Sequence, residues 1–158
     1  MPNIVISVMP GEIEKSKKER DKFDVQKTYN KFKCTNNHIG YLGELVFNRW
    51  LKENKIDFEW IEFTKQGWDN PDFIINNKSI DLKTTTSDSM WIQQEKFDVY
   101  VYAQINKEQT LITIKGWLSK NDITTLKELK YCKVVERVVR KDYVFDVGIM
   151  RDMSTLIF

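Results

Sequence analysis

The chain has 158 residues and 18.9 kDa, with 41% apolar, 30% charged and 13% aromatic residues and only 6 Gly and 3 Pro; this describes one ordinary globular domain and excludes disordered, collagenous and fibrous classes. Against 23 acidic residues stand 25 basic ones, so a net charge of +2 gives no bulk electrostatic argument for a nucleic-acid partner. Cys34, Cys132 and the single His38 are too few for a disulfide framework, a zinc site or most histidine-based triads, and without a membrane-length apolar run or signal peptide a cytosolic protein is expected.

In chain order, residues 3 to 9 read as a strand closed by Pro10-Gly11. Residues 12 to 33 carry eight Lys or Arg against five Asp or Glu, with a sparse apolar set of Phe23, Val25, Tyr29 and Phe32, as in one or two solvated surface helices. Ile39, Leu42, Val46 and Trp50 recur at steps of three and four and predict an amphipathic helix to Leu51, with Tyr41, Asn48 and Lys52 on its polar side. Residues 57 to 63 alternate as a strand, and 67 to 70 form a loop. Phe73 to Ile75 and Ser79 to Thr84 are strands joined across Asn76-Asn77, a residue type that tolerates positive φ. A further strand pair spans 97 to 105 and 110 to 118; Ser119 or Asn121 caps a helix to about Lys130, and 134 to 147 supplies one or two last strands. Changing periods of this kind mark a mixed α/β domain, here one unit over 1–158.

The Asn76-Asn77 turn sets a register that pairs Phe73 with Ile80 and Asp72 with Asp81. Like charges directly opposed across a hairpin are destabilising. Period two puts Lys83 on the face of Asp81, while Phe73, Ile75, Ile80 and Leu82 point into the core. A hard divalent cation held by two carboxylates, with waters and phosphate oxygens completing its shell, would compensate the acids, and the lysine could stabilise developing negative charge. That arrangement suits phosphodiester hydrolysis; the plain alternative is a surface hairpin whose Asp81 and Lys83 face solvent. Glu44, in Gly40-Tyr41-Leu42-Gly43-Glu44, borders the apolar arc of its helix. The two glycines suggest close approach by backbone or ligand, and Glu44 either finds a partner or reaches water.

Pro71-Asp72, then Asp81-Leu82-Lys83, preceded by a helix with Glu44, resembles the PD-(D/E)xK nucleases over roughly residues 38 to 105. The resemblance implies an α/β, restriction-endonuclease-like fold: a mixed central sheet flanked by helices, with an N-terminal strand and helical layer over 1–37, a catalytic core over 38–105 and C-terminal strands and helix over 106–158. It implies Asp72 and Asp81 as Mg²⁺ ligands, with Mn²⁺ as substitute, Glu44 assisting the metal or its water, and Lys83 positioning the attacking water. The expected activity is endonucleolytic cleavage of DNA leaving a 5′-phosphate, with RNA and a homodimer left open; the alternative is a non-catalytic nucleic-acid-binding or interaction module. The family's usual helix after the lysine strand has little room in Thr85 to Lys96, so Gln93 and Gln94 receive no role. His38 resembles in placement the metal-binding histidine of cap-snatching viral endonucleases, though a helix-start histidine with no such role is the preferred reading; Asp69 lies outside the hairpin register. Trp68, Trp91 and Trp117 are candidates for base stacking or for packing. Arg137, Arg140 and Lys141, in the most basic stretch (Lys127 to Lys141), could follow a phosphate backbone or form a solvated face.

Overall fold

A computed structural model describes residues 3–26, 38–62, 70–93 and 95–156, without the side chains of 20–26. Strand β1 (Ile4–Ser7) leads into helix α1 (Pro10–Gln26), and α2 spans Ile39–Glu53. Then come β2 (Phe58–Trp60), β3 (Phe73–Ile75), β4 (Lys78–Thr85), β5 (Ser89–Ile92), β6 (Val99–Ile105) and β7 (Leu111–Ser119), followed by α3 (Lys120–Glu128), β8 (Lys133–Glu136) and β9 (Lys141–Asp146). Pro10 and Gly11 open α1 rather than close β1; proline is tolerated there because the first helical N–H groups have no intrahelical partner. Ser119 caps α3 in a reciprocal capping box with Asp122. Each of these helices and strands lies where hydrophobic period or turn chemistry locates it, save β5; Tyr29 and Phe32 of the predicted helical layer lie outside the described residues.

Six strands form a mixed sheet in the order β1-β7-β6-β4-β3-β2, in which β4 and β6 run parallel and the other neighbours antiparallel. One face is covered by α2: Leu42, Val46, Phe47 and Leu51 pack with Phe73, Ile75, Ile80, Leu82, Val101 and Ile114. The other face carries Tyr100, Tyr102 and Leu118 into a second core with Met90, Ile92, Phe145 and Ile123 of α3. That second core exists because β5, β9 and β8 form a separate small sheet. The stretch Thr85 to Lys96, too short for the family's usual helix, carries instead the strand β5, which pairs with β9 and buries its alternating Met90 and Ile92 in this second core. No helix among the described residues is long and apolar enough to cross a membrane.

Helix α2 is buried almost all round. Tyr41 and Asn48, assigned to a polar side by sequence, are 2% and 9% exposed; Trp60 and Glu62 cover Tyr41, and α1 packs along the helix. Arg49 joins the two helices by bonding Glu12 through Nε at 3.1 Å. The inner contact is closer still. A Cβ on Gly43 would fall 1.9 Å from Oγ1 of Thr84 and 2.7 Å from its Cβ, so only glycine lets α2 approach β4 this far. Gly40, by contrast, meets nothing within 4 Å, and the close approach expected of both glycines belongs to Gly43 alone. Gly43→Ala should cost about 2–3 kcal/mol by overpacking, read as a fall in the urea midpoint, with Thr84→Gly restoring part of it.

Candidate active site

The hairpin forms as its turn chemistry requires: Asn76 and Asn77 have φ of 51° and 61°, and the ladder pairs Ile75 with Lys78, Ile74 with Ser79 and Phe73 with Ile80. The regular pairing stops there, one step short of the expected Asp72 to Asp81 match. Asp72 instead straddles Asp81. Its N–H donates to the carbonyl of Ile80 at 3.0 Å, its carboxylate Oδ2 accepts the N–H of Leu82 at 2.7 Å, and its own carbonyl accepts from Ile61 at 2.8 Å. A side-chain oxygen has taken the place of a backbone acceptor, which locks the Asp72 carboxylate beside β4.

Asp81 is 8% exposed and Glu44 6%, so neither is the solvent-facing acid of the plainer reading. Asp81 and Lys83 lie on the face of β4 whose ladder partners on β6 are Tyr100 and Tyr102. Lys83 Nζ lies 2.8 Å from Asp81 Oδ2, but off hydrogen-bonding direction, so the contact is an ion pair and Oδ2 is buried without a hydrogen-bond partner among the described residues. Burial pushes the Asp72 carboxyl well above the usual carboxylate range, and the charges of Glu44 and Asp81 push it further, against the Leu82 N–H and Lys83. Burial alone would lower the Lys83 ammonium; the carboxylate of Asp81, followed by that of Asp72, outweighs it and the net shift is upward. Lys83 is thus held protonated, a source of positive charge rather than a base.

Glu44 is placed by a residue the sequence did not single out. Trp60 of β2 donates Nε1–H to Glu44 Oε1 at 3.2 Å and stacks on Phe73, which carries β3. Tyr41 also stacks on Trp60, with its hydroxyl donating to Glu62 Oε2 at 3.1 Å. Burial, then Glu62, raises the Tyr41 pKa, which keeps the phenol neutral. The usable signal was the alternation of Phe58 and Trp60 opposite Phe73.

Among the described residues no set of three or more His, Cys, Asp or Glu side chains is placed to hold an ion. What the described residues offer is a pair, Asp72 and Asp81, with a buried Asp81 oxygen whose neighbour is the Lys83 ammonium and a third acid, Glu44, within electrostatic reach of Asp72. Two hard oxygen donors of this kind fit Mg²⁺ or Mn²⁺, which keep several waters and need only one or two carboxylates. His38 is buried and bonds Gln109 Oε1 at 2.7 Å on the β6 to β7 turn, so its ring is engaged away from the acids. Trp117 donates to the carbonyl of Asp152 at 3.1 Å and ties down the C-terminal segment. Trp91, Arg137, Arg140 and Lys141 all belong to the small sheet and its hairpin, on the opposite face of the main sheet from α2. Gln93 is exposed beyond β5, while Trp68, Asp69, Gln94 and Cys34 lie outside the described residues.

No family model and no curated protein matches the chain. Among solved structures, it is similar to a nuclease from a fusselovirus, at 14% identity over 72% of this chain and 83% of that one, with a TM-score of 0.42.

Proposed function

We propose that the chain is a divalent-cation-dependent nuclease of the PD-(D/E)xK, restriction-endonuclease-like kind, an endonuclease hydrolysing phosphodiester bonds of DNA. The observation that carries this reading is Asp81 Oδ2, buried and without an aligned hydrogen bond among the described residues, with the Lys83 ammonium 2.8 Å away and the Asp72 carboxyl close enough for its charge to be felt. Asp72 and Asp81 would hold the cation, which when bound polarises a phosphoryl oxygen and acidifies a water. The chain's own groups do the rest. Lys83, kept protonated, donates to a phosphoryl oxygen or to the attacking water and offsets charge that develops in the transition state. Glu44, oriented by Trp60, supplies a fixed carboxylate that can accept a proton from that water. The Leu82 N–H grip on Asp72 keeps the acid pair aligned while substrate arrives. Supercoiled, linear, branched and single-stranded DNA and RNA, incubated with the protein in Mg²⁺ or Mn²⁺ and in EDTA, test it. Metal-dependent cleavage of DNA with 5′-phosphate ends is expected. Nucleic-acid binding without cleavage of any substrate would leave the fold as a non-catalytic binding module.

A further inference from the structure

The hairpin between β8 and β9 has an unusual tip. Turn positions ordinarily favour Gly, Asn or Asp, yet here they are Val138 and Val139, exposed at 102% and 91%. The flanking Arg137 and Arg140 close the turn, the Arg137 N–H donating to the Arg140 carbonyl at 2.8 Å. Both side chains turn to a single carboxylate. Asp142, 1% exposed, accepts the Arg137 Nε–H on Oδ2 and the Arg140 Nε–H on Oδ1, each at 3.1 Å. Each guanidinium uses only Nε in this contact and remains half exposed, with its terminal nitrogens bonding nothing else among the described residues. Arg137 also lies over the Trp91 ring, 5.7 Å from its centroid. Two cations share one anion, so the root of the tip keeps a net positive charge and two oriented donor edges.

The geometry points to a substrate-gripping wing: Arg137 and Arg140, aligned by the buried Asp142, take phosphates of duplex DNA while Val138 and Val139 press against a base step. Arginine forks match phosphate geometry, and apolar tips inserted at a base step recur where proteins bend a duplex. A partner with its own apolar pocket would cover the valines but would give the paired guanidiniums nothing to bind; duplex DNA offers phosphates to the guanidiniums and a base step to the valines. The small sheet joins β4 through Thr86, Ser87 and Asp88, and this link is held by Tyr102 donating to the Ser87 carbonyl and by Gln104 donating to Asp88 Oδ1 at 2.9 Å. Lys141 is peripheral: its ammonium lies 4.0 Å from the exposed Glu136. The inference rests on the nuclease reading for its substrate but concerns binding, so the two can fail separately.

The test is fluorescence anisotropy of a short fluorescein-labelled DNA duplex with the full chain in EDTA, across a salt series. Arg137→Gln/Arg140→Gln should weaken binding on the order of tenfold and flatten the slope of log K against log[salt] by about 2, one for each phosphate no longer neutralised. Because that variant strips a buried carboxylate of its partners, Val138→Glu/Val139→Glu serves beside it: the tip is fully exposed, the melting temperature should not move, and binding should fall to a similar extent. Wild-type affinity in the folded valine variant, or failure of the unaltered chain to bind duplex DNA, overturns the wing. If the chain binds as expected but cuts nothing in Mg²⁺, the catalytic reading fails and the wing stands. Cleavage with unchanged affinity in both variants has the reverse meaning.

Discussion

Lys83→Ala should lower the rate of DNA cleavage by about 10²–10³-fold, the usual cost of removing one charge-stabilising donor, and Asp81→Asn should reduce it to background. The reason lies in what each group contributes. Lys83 supplies the ammonium that lies 2.8 Å from Asp81 Oδ2, and Asp81 supplies the buried oxygen on which the proposed cation depends. Stability separates this from a merely structural effect. Removing Lys83 leaves Asp81 and Asp72 facing each other without that ammonium, and with the side chain 34% exposed, solvent screening limits the cost to about 1 kcal/mol. Asp81→Asn removes one of two repelling acids but also the carboxylate that holds the Lys83 ammonium, so its melting temperature should fall by no more than that of Lys83→Ala. Losses of about a hundredfold or more in two variants that both stay folded would tie the loss to chemistry. Retention of full activity by either one sinks the site.

Local chemistry made the hairpin legible. Its turn residues, register and buried face are properties of a dozen consecutive residues, and Asn76-Asn77 with Phe73, Ile75, Ile80 and Leu82 behave as period and turn type require. The same is true of the Ser119 cap and of α2 as a helix. What escaped depends on partners distant in sequence. Strand β5 is four residues long and becomes a strand by pairing with β9, and the alternation of Met90 and Ile92 is too short a run to report it. Tyr41 and Asn48 looked polar-facing because what packs on α2, Trp60 against Tyr41 among it, lies in other elements and leaves no sign within the helix. The bracket around Asp81 was missed for another reason: register logic counts backbone bonds, and here a side chain, the Asp72 carboxylate, accepts the N–H of Leu82. Asp142 was hidden in the same way, since an aspartate in a basic stretch reads as ordinary charge balance until both arginines are seen to converge on it.

Asp72→Asn should stabilise the metal-free protein at neutral pH while removing its activity. The sign follows from linkage. Burial and the charges of Glu44 and Asp81 raise the Asp72 pKa in the folded chain above its ordinary 3.8, so the folded state holds a proton that the unfolded state has released. Folding stability attributable to this group is therefore greatest below pH 3.8 and declines as pH rises through the folded-state value. Asparagine cannot ionise, and its carbonyl can still accept the Leu82 N–H, so the variant escapes that decline. Its melting temperature should exceed that of the unaltered chain at pH 7–8, by about 2–4 °C for each kcal/mol gained at this chain length, and the difference should vanish near pH 4. Mg²⁺ reverses the comparison. A cation bound by Asp72 and Asp81 in the folded state alone stabilises by mass action, about 2.7 kcal/mol at a hundredfold excess over its Kd, whereas the variant lacks one ligand and should respond weakly. Thermal melts across pH, with Mg²⁺ and with EDTA, read both effects without reference to cleavage. A variant less stable than the unaltered chain in EDTA at pH 8 would contradict the buried acid pair, and an equal Mg²⁺ response in both proteins would remove Asp72 from the metal site.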